Sequence, residues 1–265
     1  MGRAEYRRDL KEDQRLIAAG LDATQLDGRQ VVALMRVLRD KLRTCIERRS
    51  VTPMMYFIAA SLDQGAKHLS ELSVACRRGC SHCCHIWVDA LAPEVFYALK
   101  SLKPQERLRA QEAVEQACGT TLGRSFDARA GMITPCPLLL GNECSVYNAR
   151  PINCRTAVSV DAEICRRSYR EGAEEDIPTP FVWIALRQGY GVALEAALRH
   201  AGLAHRSSEW NESLRLVLAE PDAEARWLGG KDVFSSVPRV AGVEIFDHPL
   251  WRGMYEEAFG ESPIH

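Results

Sequence analysis

The sequence predicts a mainly α-helical protein whose helices pack around an irregular, cysteine-rich middle segment. Apolar residues recur at separations of three and four on both sides of that segment, which is the helical period. No alternation of strand and helix patterns is present. Ten cysteines occur, none of them in the first 44 or the last 100 residues, so the unusual chemistry is confined to the middle third.

The N-terminal region, residues 1–73, reads as helical. Residues 4–19 are charged and moderately helix-favouring, and residues 29–48 form an amphipathic helix. Thr52 and Pro53 suit the start of a second helix, which pairs with the first as a hairpin and carries Leu69 and Leu72 toward the core. The stripe of the first helix consists of Val31, Leu34, Met35, Leu38, Leu42 and Cys45.

The middle region, residues 74–170, holds most of the cysteines. Pro93 and Glu94 suit the first turn of a short helix, and Pro104 opens another that carries Cys118 on its apolar face. The stretch 132–168 is dense in proline, glycine and asparagine, which predicts irregular structure without regular elements. We expect such a segment to be held by bound metal.

The C-terminal region, residues 171–265, begins with an exposed linker at 171–180. A strong helix follows over 181–200 and ends before Gly202, and shorter helices are expected near 208–219 and 221–228. The last 35 residues are predicted to be an extended tail. We expect the three regions to form one compact unit.

Composition narrows the class of protein. A charged fraction of 26% and a net charge of −1 give no reason to expect a nucleic-acid partner. The longest apolar runs fall far short of the roughly 20 residues needed to span a bilayer. The N-terminus is charged and has no apolar signal region. We therefore predict a cytoplasmic protein that binds neither nucleic acid nor membrane, with a protein or small-molecule partner.

The cysteines predict a metal centre. Reducing compartments disfavour structural disulfides, so clustered thiols in a cytoplasmic protein point to metal or redox chemistry. Soft thiolates select zinc, copper(I) and iron–sulfur clusters, and a zinc site or a cubane cluster takes four of them. The eight candidate ligands fall in two groups of four: Cys76, Cys80, Cys83 and Cys84, then Cys136, Cys144, Cys154 and Cys165.

The adjacent pair Cys83–Cys84 is difficult to place on one ion, because neighbouring side chains diverge in extended backbone. The pair fits better if each thiol serves a different metal, or if one is not a ligand. One arrangement interleaves the two groups, with each centre drawing ligands from both. The sequence leaves the number of centres open.

These motifs resemble a known family. CRRGCSHCC at residues 76–84 and CPLLLGNECSVYNARPINCR at 136–155 look like the YkgJ-type cysteine-cluster family, also described as the CxxCxxCC zinc- or iron-chelating domain. The second motif is the more specific, while Cys76-x3-Cys80 departs from the spacing in the family's name. The resemblance covers about 76–165 and implies metal chelation. A flagellin lysine methylase is similar over the same cluster, which implies a protein-modifying enzyme by analogy only.

Cys76-x3-Cys80-x2-Cys83 also has the spacing of radical S-adenosylmethionine enzymes, with His82 at the position where those enzymes favour an aromatic residue. Those enzymes place the motif after the first strand of a strand–helix series. The residues before Cys76 are predicted to be helical, so we favour a chance match.

Other residues near the motifs have simpler explanations. Cys45 and Cys118 lie on apolar stripes and are predicted core residues. A favourable interaction with the helix dipole explains Glu94 without a metal ion. Hydrogen bonding to the cluster, or solvent exposure beside it, explains His82 and His85. Trp87 and Tyr147 are assigned to packing around the centre. Two readings stay open for four arginines: they balance cluster charge or bind an anionic substrate, or they form ordinary surface pairs. Three histidines carry no signal. These residues are Arg150, Arg155, Arg166 and Arg167, then His68, His200 and His205.

The sequence thus favours a metal-binding protein that holds an iron–sulfur centre, expected to be [4Fe–4S], and leaves open whether it is a redox or protein-modifying enzyme or an electron carrier. The alternative is a zinc-stabilised structural or binding module without catalysis. A radical S-adenosylmethionine-like enzyme is the third reading.

Overall fold

A computed structural model describes residues 27–68, 74–125, 128–129, 132–239 and 244–263. The predictions for residues 4–19, Leu69 and Leu72 lie outside these ranges, as does the side chain of His68. The described chain is mainly helical, as the sequence predicted. Its helices are α1 (Gly28–Arg48), α2 (Thr52–His68), α3 (Ala92–Ser101), α4 (Pro104–Thr121), α5 (Ile152–Thr156), α6 (Ala162–Glu171), α7 (Phe181–His200), α8 (Trp210–Ala219), α9 (Ala223–Leu228) and α10 (Pro249–Phe259).

Helix α1 is central to the packing. Asp27 caps its first turn through the Gln30 backbone N–H, and the predicted stripe from Val31 to Cys45 is buried. This stripe packs against α2, as expected for neighbouring helices, and also against α7 and α10. Residues from the two ends of the described chain therefore share one hydrophobic core.

Strands contribute little to this fold. Strands β1 (Asp89–Ala90) and β4 (Ser208–Glu209) pair antiparallel, and β2 (Leu139–Leu140) pairs antiparallel with β3 (Glu143–Cys144). Residue Asp89 lies opposite Glu209, and Leu139 lies opposite Cys144. The first ladder connects the segment after the first cysteine group to α8, and the second forms a small hairpin within the second group.

Two predicted segments differ from expectation. The stretch 132–168 is not free of regular elements, since it contains β2, β3, α5 and the first turns of α6. Helix α6 forms because Asp161 caps it by accepting the backbone N–H groups of Glu163 and Ile164. The tail is not extended over 249–259, where Pro249 begins α10 and Gly260 ends it in the left-handed conformation.

No helix in the described part of the chain is both long and apolar enough to cross a membrane.

Candidate metal centre

All eight predicted ligand cysteines border one cavity, which we call the cysteine cavity. Its volume is about 320 Å³, and its cysteines are Cys76, Cys80, Cys83, Cys84, Cys136, Cys144, Cys154 and Cys165. The other two cysteines, Cys45 and Cys118, are buried in the hydrophobic core, which agrees with their predicted packing role. The fold thus brings the two cysteine groups together across 52 to 89 residues of sequence and keeps the core thiols apart from them.

The backbone around the first cysteine group folds as a tight turn. Gly79 adopts a φ of +89°, a conformation that glycine tolerates and other residues rarely adopt, and the Cys80 N–H bonds to the Arg77 carbonyl at 2.9 Å. His82–His85 then form a 3₁₀ turn. The second group is attached to this turn, because the Cys136 N–H donates to the Cys84 carbonyl at 2.7 Å.

The 3₁₀ turn overturns one premise about the adjacent cysteines. Cys83 and Cys84 lie in this turn and not in extended backbone. The Cys84 side chain, followed by burial, raises the pKa of Cys83 strongly. Both cysteines border the same cavity.

The electrostatic interactions between the thiols define two sets that share Cys83. Cys76 interacts electrostatically with Cys80 and Cys165, so the last cysteine of the sequence joins the first two. Cys154 interacts with Cys136 and Cys144. We call these sets the first triad (Cys76, Cys80, Cys165) and the second triad (Cys136, Cys144, Cys154). Cys83 interacts with members of both, and the two sequence groups are therefore mixed in space.

Burial dominates the acidity of these thiols. It raises the pKa of Cys76 to about 11 and that of Cys136 to about 12, and it raises the pKa values of Cys144, Cys154 and Cys165 as well. Thiols this weakly acidic are neutral unless a cation stabilises their charged form. Binding a metal ion here would therefore release protons.

Several groups around the cavity lower the pKa values of these thiols and so oppose the effect of burial. The Arg150 guanidinium lies 3.8 Å from the ring centroid of Tyr147 and lowers the pKa values of Cys83, Cys144 and Cys154. The Trp210 side chain borders the cavity and lowers the pKa of the Cys136 thiol. At the first triad, the Ser159 N–H donates to Cys76 Sγ at 3.3 Å. These contacts stabilise sulfur-centred negative charge on both sides of the cavity.

The sequence left open whether the four arginines balance charge at the cluster or form surface pairs, and the structure gives them different positions. Arg150 borders the cavity. Arg155 is buried, pairs with Asp63 on α2 and donates to the Asn148 carbonyl at 2.6 Å. Arg166 and Arg167 are exposed and pair with carboxylates: Glu163 and Glu171 for Arg166, Glu163 and Glu175 for Arg167. Of these four, Arg150 borders the cavity, and Arg155 also lowers the pKa of Cys144 from its buried position.

The two histidines beside the cluster differ in environment. His85 Nδ1 lies 3.0 Å from the Ser81 carbonyl. His82 borders the cavity, and its buried Nδ1 has no hydrogen-bond partner in the described structure. Burial lowers the pKa of His82, so the neutral imidazole is favoured there. Trp87 and Tyr147 border the cavity too, as predicted packing residues around a centre would.

Hydrogen bonds within the protein explain the position of the Glu94 side chain without a metal ion, as predicted. The side chain is more deeply buried than expected. Its side chain accepts the backbone N–H groups of Leu91 and Ile152, each at 2.7 Å. It is only 4% exposed, and burial raises its pKa to about 7 despite these hydrogen bonds.

Some residues of the site carry no recognisable sequence signal. Trp210, Tyr169 and Arg187 border the cysteine cavity from helices α8, α6 and α7. None of them lies in a motif, and only the tertiary fold brings them to the cysteines. From the sequence alone, their positions within amphipathic helices indicate ordinary packing or exposure to solvent.

A second cluster of ligand-type side chains joins residues that appeared isolated in sequence. One ligand atom each from Glu195, His205 and Glu244 lie within 4.8 Å of one another. Glu244 pairs with Arg199 and Arg206, so guanidinium groups already supply cations there. His200 likewise pairs with Glu261 and stacks on Phe259.

The comparison with protein families agrees with the motifs. Residues 75–174 match the CxxCxxCC family model, described as "Putative zinc- or iron-chelating domain". This part of the chain is similar to the CxxCxxCC domain. The matched range covers just over a third of the chain and includes all eight cavity cysteines, while most of the helical core lies outside it. No curated protein and no solved structure matches the sequence.

The CxxCxxCC match supports metal binding through the cysteine cluster and names zinc and iron equally. The described residues provide no strand–helix series around Cys76-x3-Cys80-x2-Cys83, since their strands are two residues long. The structure therefore adds no support to the radical S-adenosylmethionine reading.

Proposed function

We propose that the protein is an iron–sulfur protein whose eight cavity cysteines hold the cluster iron and whose function is electron transfer. The observation that carries this proposal is the convergence of all eight thiols on one cavity of about 320 Å³. A water molecule occupies about 30 Å³ in the liquid, so this space is far larger than a single metal ion requires. Thiolate donors are the ligands that iron–sulfur clusters take.

The number of thiols supports iron–sulfur over a single zinc ion. Eight cysteines border the cavity, which is twice the number of ligands that one tetrahedral zinc ion takes. A cubane cluster binds several iron atoms through separate thiolates and needs more space than one ion, as the cavity provides.

Two four-thiolate centres account for the eight cysteines. The first and second triads each lack one ligand, and Cys83, which interacts with members of both, is followed directly by Cys84. One thiol of this pair would complete each set. Clusters saturated by protein thiolates have no open iron for substrate, and saturation favours electron transfer over catalysis at the metal.

The deciding experiment is anaerobic purification of the full chain followed by quantification of iron, acid-labile sulfide and zinc. We expect a brown protein that absorbs broadly at about 400 nm and contains iron and sulfide in equal amounts. Stoichiometric zinc without sulfide would overturn the proposal in favour of a zinc-stabilised module.

A further inference from the structure

A second cavity lies beside the cysteine cavity. Its volume is about 260 Å³, and one wall is a face of helix α7. That face presents Arg187, Gly191 and Glu195, spaced four residues apart and therefore aligned along the helix. At 1.5 Å per residue, about 12 Å of helix separates the first position from the last. We call this elongated cavity the α7 groove.

The α7 groove and the cysteine cavity adjoin. Asp89, Asn153 and Arg187 border both of them. Asn153 is adjacent in sequence to Cys154 and donates its side-chain amide to the Asp89 carbonyl at 3.0 Å. A molecule in the groove would therefore lie next to the metal centre without displacing any cysteine.

Arg187 at the junction is oriented but has no carboxylate partner. Its Nε donates to Thr156 Oγ1 and its Nη2 to the Thr156 carbonyl, both at 3.1 Å. In the described ranges it forms no salt bridge, although Asp89 borders the same space. A fixed guanidinium with free N–H donors is the group that recognises a carboxylate in proteins.

The rest of the groove suits a ligand with an apolar middle and a polar far end. Leu91, Val192, Ile245 and Trp251 border it. Glu195 lies at the far end of the α7 face. Burial raises the pKa of Glu195 to about 7, so its carboxyl group can donate as well as accept a hydrogen bond near neutrality.

We propose that the α7 groove binds a small organic acid, with its carboxylate on Arg187 beside the metal centre and a polar group directed toward Glu195. The role of this site beside the metal centre rests on the electron-transfer function proposed above. Ligand binding itself depends only on the groove residues. The ligand would be held at the edge of the centre, where an electron donor or acceptor needs to lie.

Gly191 provides a direct test because it forms the middle of the groove wall. A Cβ built there meets no atom within 4 Å, so a side chain at this position starts in open space on the groove wall. Replacing a helical glycine also favours the helix by as much as about 1 kcal/mol. Gly191→Leu should therefore fold and fill the groove. Gly119→Leu is the matched control, since Gly119 lies in α4, is exposed and also has no atom within 4 Å.

The experiment is ligand-observed NMR on the purified holoprotein with four probes: lactate, succinate, glutamate and 4-hydroxybenzoate. We expect at least one probe to bind, and we expect Gly191→Leu and Arg187→Gln each to raise its Kd at least tenfold while Gly119→Leu leaves it unchanged. Failure of all four probes to bind, or a Kd unaffected by Gly191→Leu, would overturn the proposal.

Metal content measured on the same samples separates the two proposals. Iron per chain should be the same in Gly191→Leu as in the wild type, because no ligand cysteine changes. A preparation that contains zinc and no sulfide, yet binds a probe in a Gly191-dependent manner, would support the groove and reject the iron–sulfur proposal.

Discussion

The backbone N–H of Ile152 donates to the buried carboxyl group of Glu94 at 2.7 Å. Glu94 lies in the first turn of α3, and Ile152 begins α5, the helix that carries Cys154. The same side chain also accepts the Leu91 N–H. One carboxyl group thus caps α3 and positions the start of a cysteine-bearing helix 58 residues away.

Glu94→Gln should destabilise the protein by about 1–3 kcal/mol, because an amide has one acceptor oxygen and would turn its NH₂ group toward a buried backbone N–H. The free energy of unfolding by denaturant measures this loss. Glu106→Gln is the control, since Glu106 accepts the Lys103 N–H at 2.8 Å in the same helical position of α4 but at an exposed site. Equal losses in the two variants would contradict the bridging role of Glu94.

The sequence predicted helices well where packing is local. The stripe of α1 and the proline-initiated starts of α3 and α4 could be recognised because spacing and capping are properties of neighbouring residues. Helix α10 was missed although Pro249 and Gly260 mark its ends, because its sequence contains Gly253 within a short segment, and it packs against α1.

The candidate site was predictable as a set of residue types but not as an arrangement. Eight cysteines with motif spacing could be selected, and the two on helical stripes could be set aside. The grouping of Cys165 with Cys76 and Cys80 depends on tertiary contacts between α6 and the 3₁₀ turn at His82–His85. The roles of Arg187 and Trp210 depend on the same long-range packing.

Cysteine substitutions should show two separable centres. Serine is a harder and less acidic ligand than cysteine, so Cys165→Ser should remove the iron of the first triad and Cys154→Ser that of the second, each leaving about half of the total. Iron and sulfide per folded chain measure the outcome. Complete loss in either variant would indicate a single shared centre instead.

Core cysteines are the controls for this series. Cys45→Ala and Cys118→Ala should retain full metal content and cost about 1 kcal/mol of stability, the scale for removing one small buried group. Cys76→Ser should follow Cys165→Ser, because both thiols belong to the first triad and Ser159 contacts each of them. Loss of metal from Cys118→Ala would show that the division into ligands and core is wrong.

Arg150 should set the electrostatic potential at the second triad. Its guanidinium borders the cavity and is stacked on Tyr147, so Arg150→Gln removes a fixed positive charge beside Cys144 and Cys154. We expect the reduction potential of one centre to fall by roughly 30–60 mV. For a one-electron couple, the upper value corresponds to about a tenfold change in the equilibrium constant for reduction. Protein-film voltammetry measures it. Arg109→Gln makes the same charge change at an exposed position of α4 and should leave the potential unchanged, so equal shifts in both variants would refute a local effect.

Removal of the metal should loosen residues 132–151 while the helical core persists. In this stretch the regular elements are the two-residue strands β2 and β3 and a 3₁₀ turn, with few apolar residues buried, so ligation of Cys136 and Cys144 is expected to supply much of its order. Helices α1 and α2 are held instead by the hydrophobic core and contain no cavity cysteine. Chymotrypsin should therefore cut the metal-free protein near the exposed Leu140, leaving a fragment that retains residues 28–68.

Mass spectrometry of timed digests identifies the cuts, and the metal-loaded protein under the same conditions is the control. Cleavage that begins within α1 or α2, or equal resistance of the two forms, would mean that metal does not order this segment.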